Sequence, residues 1–405
     1  MSDKKIAFWF IALLSVLVLV PFLGETIFYS KGEPREAIVA YTMLESGNWI
    51  LPMNYGVEIA YKPPFLYWTI AVISSILGGV SEFSARMPSA LAFLAMQLVF
   101  FSFVAKRKNV KTAFLTSILL LSSFEVHRAA VACRLDMLQV SLIVISLCLL
   151  FRWDEKNCKG GPWLAVLLMA CATLTKGPVG SIFPCLCIGI YQLLRGRSFG
   201  KAFFSLLGIG LLSLIPLGIW FWAAYQQGGE PFVNLMLEEN TGRFFRKMSY
   251  ESHENPLWYN FLTLIWGWIP WTLVLLVSLF GLKWKEMHVL PEGDSVGERL
   301  KKVWDKFRSQ SPLQLFIWVV ILTIFIFYCI PKSKRSVYLL PIYPFMGVLL
   351  AEYLLALVQR GAKVFKISAW IFAALAVLLT VTFFTVRLGL SLIHISEPTR
   401  PLYIS

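Results

Sequence analysis

The chain has 405 residues, of which 58% are hydrophobic and only 15% charged, with a mean hydropathy of +0.69. A soluble domain of this size has no interior able to hide that much apolar surface, so lipid must be the bulk solvent for most of it. The formal net charge of +14 would suggest nucleic acid in a soluble protein. Here most Lys and Arg residues lie in short loops between apolar runs, where membrane topology accounts for them, and no nucleic-acid partner is expected.

In chain order, apolar runs near the length of a helical span, about 20 residues, lie at 7–24, 84–104, 112–126, 135–151, 162–174, 178–193, 203–225, 257–281, 313–330, 337–357 and 367–386. They predict an all-α polytopic membrane protein of about eleven spans. No small-residue cleavage site follows the first run, which reads as a span rather than a signal peptide. Pro184, Pro216, Pro270, Pro341 and Pro344 fall inside runs, as membrane helices tolerate. Trp49, Trp68, Trp163, Trp258 and Trp266 sit at predicted segment ends and suit an interfacial belt. The seven Cys show no metal-ligand spacing, and Cys185 and Cys187 read as small buried hydrophobes.

Orientation follows from the basic residues. With Lys4 and Lys5 in the cytoplasm, about 22 Lys and Arg fall on the inside and about 13 outside. The inner set comprises loops 106–111, 152–159, 195–201, 283–308 and 360–366. Two long external segments result, 25–82 and 226–256, with short turns at 127–134, 175–177 and 331–335. In the first, Pro34 and Gly47 sit where they mark a helix start and end. Phe65–Leu77 is too short to span and too apolar to float free, which predicts a helix lying in the interface. The stretch Ser391–Ser405 (SLIHISEPTRPLYIS) reads as translated sequencing-adapter sequence and is set aside. The natural chain is expected to continue with a further C-terminal part.

Ten external basic residues break the positive-inside pattern: Lys62, Arg128, Arg134, Lys176, Arg243, Arg246, Lys247, Lys332, Lys334 and Arg335. They come from several separate segments. Convergence would make a cationic pocket suited to a lipid phosphate or pyrophosphate. The alternative for each is snorkelling to headgroups. The external carboxylates Glu33 and Glu36 open the first-loop helix, where they also complement its dipole. Asp136 opens the fourth span close to Arg134. His127 and His253 have no metal-ligand spacing.

Several blocks carry a resemblance. They are Gly32-Glu33-Pro34-Arg35-Glu36-Ala37, Met43–Trp49, Tyr61-Lys62-Pro63-Pro64-Phe65-Leu66-Tyr67-Trp68, Glu82–Ala90, Arg134-Leu135-Asp136-Met137, Leu174–Gly180, Glu239–Phe244, His253–Tyr259 and Ser333–Pro341. In this order they resemble the lipid A aminoarabinose transferase family, GT-C glycosyltransferases related to protein O-mannosyltransferases. The resemblance runs to about residue 386 and implies one GT-C transmembrane glycosyltransferase unit over 1–390. It implies transfer of a sugar from a polyprenyl-phosphate donor to a lipid A-like or protein acceptor at the periplasmic face of a bacterial inner membrane. The lysine of the family's Lys-Pro-Pro motif is matched by Lys62, and its later-loop arginine by Arg243; both would hold donor phosphate. The family's first-loop Asp-Glu pair reads Gly32-Glu33, and the residue before the motif lysine is Tyr61 rather than Glu. A divalent metal is left open.

A departing phosphate needs its charge stabilised, for which Lys62, Arg243, Lys176, Arg335, Arg134 and Tyr61 are the candidates. A hydroxyl acceptor needs a general base, with Glu33 the first candidate and Asp136 the second; a phosphate acceptor would not. Attack opposite the leaving phosphate inverts the anomeric centre. A lipid-linked sugar flippase is the other reading, but transporters place charges at the bilayer midplane and show internal repeats, and none is visible here. A surface-polysaccharide polymerase or ligase is a third.

Overall fold

The computed structural model describes residues 3–30, 32–238, 254–280 and 295–359, with scattered positions between 367 and 385. It divides into two compact units, residues 1–270 with 288–353, and 271–287 with 354–405. The larger unit holds every site described below. In it, the described elements are helical except for one small hairpin, Met53–Asn54 paired antiparallel with Glu58–Ile59. This is the outcome hydrocarbon imposes, because a helix satisfies its own backbone groups.

The helices are α1 (Asp3–Leu19), α2 (Gly32–Ser46), α3 (Phe65–Leu77), α4 (Glu82–Arg107), α5 (Val110–Ser122), α6 (Phe124–Ala130), α7 (Leu135–Glu155), α8 (Trp163–Lys176), α9 (Val179–Leu194) and α10 (Phe199–Leu237). They continue as α11 (Tyr259–Gly267), α12 (Trp271–Phe280), α13 (Val296–Arg308), α14 (Pro312–Cys329), a 3-10 turn at Ser336–Ile342 and α15 (Tyr343–Gln359). Six described helical segments are long and apolar enough to cross a membrane: Asp3–Phe22, Glu82–Arg107, Leu135–Glu155, Phe199–Leu237, Pro312–Cys329 and Ser336–Gln359.

The runs expected at 112–126, 162–174 and 178–193 fall on α5, α8 and α9, which are apolar but shorter than that length. Their ends are fixed locally. Asn109 caps α5, its Oδ1 accepting from the Thr112 amide at 2.7 Å, and Ser123 is extended after it. Gly177 and Pro178 separate α8 from α9. The run 257–281 is shared by α11 and α12, and most of 367–386 lies outside the described residues. Helical structure continues past the expected span 203–225, as α10 runs to Leu237. Its ladder is broken at Gly229, whose left-handed φ of 56° suits a residue without Cβ.

The core centres on α7, which packs on α4, α8 and α9. Every residue from Leu135 to Val144 is buried, so α7 has no lipid-facing side there. Phe151 stacks near Phe316 (4.6 Å), Tyr191 (5.4 Å) and Phe103 (5.5 Å), joining α7 to α14, α9 and α4. Buried Gln97 accepts from Ser15 Oγ (3.0 Å) and donates to the Ser117 carbonyl (3.0 Å), tying α1, α4 and α5 inside the apolar interior.

The first-loop helices form where the sequence places them. α2 ends before Gly47, which has a φ of 68°, and α3 spans Phe65–Leu77. α3 buries Leu66, Tyr67, Ile70 and Ala71 and exposes Val72, Ile76 and Leu77. Indole donors anchor the connection between them: Trp68 Nε1 to the Trp49 carbonyl (2.7 Å), and Trp220 Nε1 to the Ile50 carbonyl (2.8 Å).

The deepest anchor is Arg86 of α4, 1% exposed. It donates to the carbonyls of Leu23 (2.7 Å), Thr26 (2.8 Å) and Ile27 (3.0 Å) and to Glu33 Oε1 (3.0 Å). Removing one partner of a buried pair strands the other, a loss of about 3–5 kcal/mol. Arg86→Met is therefore expected to lower the thermal unfolding midpoint of the detergent-purified protein well below that of Arg86→Lys. An unchanged midpoint in Arg86→Met would show that the pair does not hold the first loop.

Candidate active site

The site is built around the first turn of α2. Glu33 has no exposed surface, and both of its carboxylate oxygens are engaged. Oε1 accepts from Arg86 Nε and the Cys133 amide (3.0 Å), and Oε2 accepts from the Tyr29 amide (3.3 Å). One carboxylate thus joins the α1–α2 connection, α2, α4 and the turn before α7. Glu36, also fully buried, pairs with Arg35 (2.8 Å) and accepts from the Tyr67 hydroxyl (2.9 Å). Burial first, and the Glu36 charge second, push the Tyr67 hydroxyl well above its ordinary range, which keeps it a donor.

Beside Glu33 lies a polar cavity of about 410 Å³, with walls that include Gly32, Arg128, Arg134, Asp136, Lys334 and Arg335. The expected convergence of external cations is therefore found for four of them. Asp136 faces the cavity and is held by Lys176 Nζ at 2.5 Å, with Arg134 Nε at 4.0 Å. Lys176 in turn lies 5.0 Å from the centre of the Tyr338 ring. Arg128 pairs with buried Glu125 (2.7 Å). Burial works against the Arg128 charge, but the hydrogen bonds and charge of Glu125 outweigh it and raise the guanidinium above its ordinary value. His127 goes the other way: burial lowers it, so it adds no charge at neutral pH.

Lys334 is 4% exposed, and its ammonium is held by neutral carbonyls, Pro331 at 2.6 Å and Asn255 at 3.2 Å. The Asn255 amide donates to the Lys332 carbonyl (3.1 Å) and its side chain to the Lys334 carbonyl (3.1 Å). Two distant sequence blocks, around Asn255 and around Lys334, thus meet in one cavity wall. Lys332, by contrast, is exposed.

Lys62 and Tyr61 line a different place, on the Arg35 side of α2. The Arg35 guanidinium lies 4.7 Å from the centre of the Tyr61 ring, and Lys62 Nζ lies 5.0 Å from it. Tyr61 packs against an apolar cluster of Leu51, Leu174, Trp220, Ala224, Phe232 and Met236. Arg243, Arg246 and Lys247 lie outside the described residues.

Sequence reasoning assigned no role to Arg86, Glu125, Asn255 or Tyr259, although Arg86, Asn255 and Tyr259 stand within the blocks quoted above. Gly32 is the most informative of the positions that depart from the family pattern. A Cβ there would fall 1.2 Å from Arg134 Nη1, so the guanidinium occupies the space a side chain would take. With a cation in that space and both Glu33 oxygens engaged, these residues do not fit a divalent ion. Among the described residues no cluster of three or more His, Cys, Asp or Glu is placed to hold a metal.

Comparison with known proteins follows this geometry. Residues 61–220 match the family model described as dolichyl-phosphate-mannose-protein mannosyltransferase. The undecaprenyl phosphate-alpha-4-amino-4-deoxy-L-arabinose arabinosyl transferase of Shewanella sediminis is 28% identical over 388 residues, 93% of this chain and 65% of that protein. A protein of Aquifex aeolicus is 30% identical over 331 residues, 80% of this chain and 68% of that one. The solved structure of ArnT from Cupriavidus metallidurans bound to undecaprenyl phosphate shares the fold, with a TM-score of 0.67 at 22% identity, covering 87% of this chain and 60% of that one. The chain thus spans 65% of the length of its Shewanella relative. Its helical bundle, its collinear motif blocks and these matches together place it in the GT-C aminoarabinose transferase family.

Proposed function

We propose that this chain is a multi-pass membrane glycosyltransferase. It moves a sugar from a polyprenyl-phosphate donor to a lipid A-like or protein acceptor, with inversion, at the periplasmic face of a bacterial inner membrane. The observation that carries the reading is the cavity where Arg128, Arg134, Asp136, Lys334 and Arg335 converge at one end of the bundle. A flippase would need its charges along a path through the bilayer. The positive-inside pattern of the loops supports a cytoplasmic N-terminus and an external cavity.

Two cationic places flank α2 and divide the work. Lys62, steadied by Tyr61 and joined by Arg243, holds donor phosphate. Met236, shortly before the segment that carries Arg243, packs in the same cluster as Tyr61, which supports that pairing. Arg134, Lys176 and Arg335 stabilise the negative charge that grows on the phosphate oxygen as the glycosidic bond breaks. Asp136 lines the cavity, whereas both Glu33 oxygens are bound within the protein. On this reading the order taken from sequence is reversed: Asp136 is the carboxylate that meets the acceptor, and Glu33 positions α2 and the turn before α7.

Native mass spectrometry of the detergent-purified protein is expected to find a bound polyprenyl phosphate or its glycosylated form, lost in Lys62→Ala and in Arg243→Ala. A folded wild type free of such lipid would contradict the donor assignment. The roles of the carboxylates separate in a second comparison, using release of free polyprenyl phosphate from loaded donor on addition of envelope lipid. Asp136→Asn is expected to keep the donor and lose transfer about 10²–10⁴-fold, while Glu33→Gln loses thermal stability along with transfer. A stable, donor-loaded but inactive Glu33→Gln beside an active Asp136→Asn would return the base to Glu33.

A further inference from the structure

The bundle carries a second cationic feature, at the end of α9 away from Lys176. There α9 and α10 leave an apolar groove of about 390 Å³, lined by Ile182, Leu186, Gly189, Phe203, Leu207 and Leu211 among others. Gly189 lets α9 and α10 approach closely: a Cβ there would come within 3.1 Å of Leu206 Cδ1. The groove runs to Leu193 and Phe199, beside the turn that carries exposed Arg195.

Helix α13 is fastened to that mouth, with Arg308 Nε donating to the Leu194 carbonyl at 3.4 Å. None of its residues is buried. At about 100° per residue, Val296, Leu300, Val303, Trp304 and Phe307 share one narrow stripe. Arg299 and Lys306 flank that stripe on one side and Lys301 and Arg308 on the other, while Glu298 and Asp305 fall opposite. This is the pattern of a helix lying in a membrane surface, apolar stripe down, with flanking cations reaching the headgroups. Three residues after α13 ends, the chain starts α14, which is long and apolar enough to cross the membrane.

We propose that α13 and the α9–α10 groove together form a binding site for an anionic phospholipid. Its acyl chain occupies the groove, and its phosphate is met by Arg195 and Arg308. Charge complementarity selects this occupant. A groove for hydrocarbon alone needs no basic mouth, and a protein partner would not call for an apolar stripe flanked on both sides by cations. The site lies apart from the cavity around Asp136 and does not depend on the transfer reading.

The test uses the full chain, purified in detergent and equilibrated with vesicles of equal phosphatidylglycerol and phosphatidylcholine. The lipids that remain bound are weighed by native mass spectrometry. The wild type is expected to retain phosphatidylglycerol over phosphatidylcholine. Reversing Arg195 and Arg308 to Glu is expected to lower that ratio about fivefold or more per residue, and Leu186→Trp, which fills the groove, to lower retention of both lipids. Should the reversed variant fail to fold, Arg195→Gln with Arg308→Gln reads the same ratio. Equal retention of the two lipids by wild type, or a ratio unchanged in the charge variants, would overturn the proposal.

Discussion

The pair between Glu33 and Arg86 is the interaction on which the rest of the site depends. Both side chains are shut away from solvent, where isolated charges are most costly and where only full hydrogen bonding makes a pair tolerable. Arg86 meets that condition with three backbone carbonyls of the α1–α2 connection, and Glu33 with two backbone amides. The pair therefore locks one register between α2, α4 and the turn at Cys133. Arg134 and Asp136 follow directly from that turn, so their reach into the cavity is set by a contact neither of them makes.

Charge is then distributed around this lock. Glu36, Glu125 and Asp136 each have a basic partner of their own. What faces the cavity beyond those pairs is cationic: Arg134 in the space left by Gly32, Arg335, and Lys334 steadied by carbonyls. Such an excess favours an anion. On the proposed reading, placing Lys62 on the other side of α2 separates gripping a phosphate from stabilising the charge that develops on it. At the far end of α9, basic residues next to an apolar groove suit lipid headgroups instead. The same residue types serve different ends because one set is enclosed and the other lies at a surface.

Much of this was legible in the sequence. The Pro34 and Gly47 signals and the apolar run after Lys62-Pro63-Pro64 mark α2 and α3 because local rules fix helix ends. Arg128, Arg134, Lys334 and Arg335 stood out because they oppose the topology rule, and they do share one cavity. What sequence could not supply was pairing at a distance. Arg86 stands in a quoted motif, yet nothing local says that it reaches residue 33. Without that partner Glu33 looks like a free carboxylate, although both of its oxygens are engaged. The crowding of Arg134 against Gly32 is likewise a fact of packing. The expected run 112–126 passes the end of α5 because hydropathy continues beyond Ser123, where extended backbone stops the helix, while α8 and α9 fill their expected runs and are simply short. The amphipathic α13 was hidden in a loop treated only as a count of charges.

The central claim is that the site recognises the phosphate of a polyprenyl lipid by charge. The most direct test is to compare binding of undecaprenyl phosphate with that of undecaprenol, its neutral alcohol, to the purified protein at low and high salt. The account predicts that the phosphate binds much more tightly than the alcohol and that its advantage shrinks as ionic strength rises. Equal binding of the two, insensitive to salt, would mean that the chain grips hydrocarbon alone and that its converging cations serve some other end.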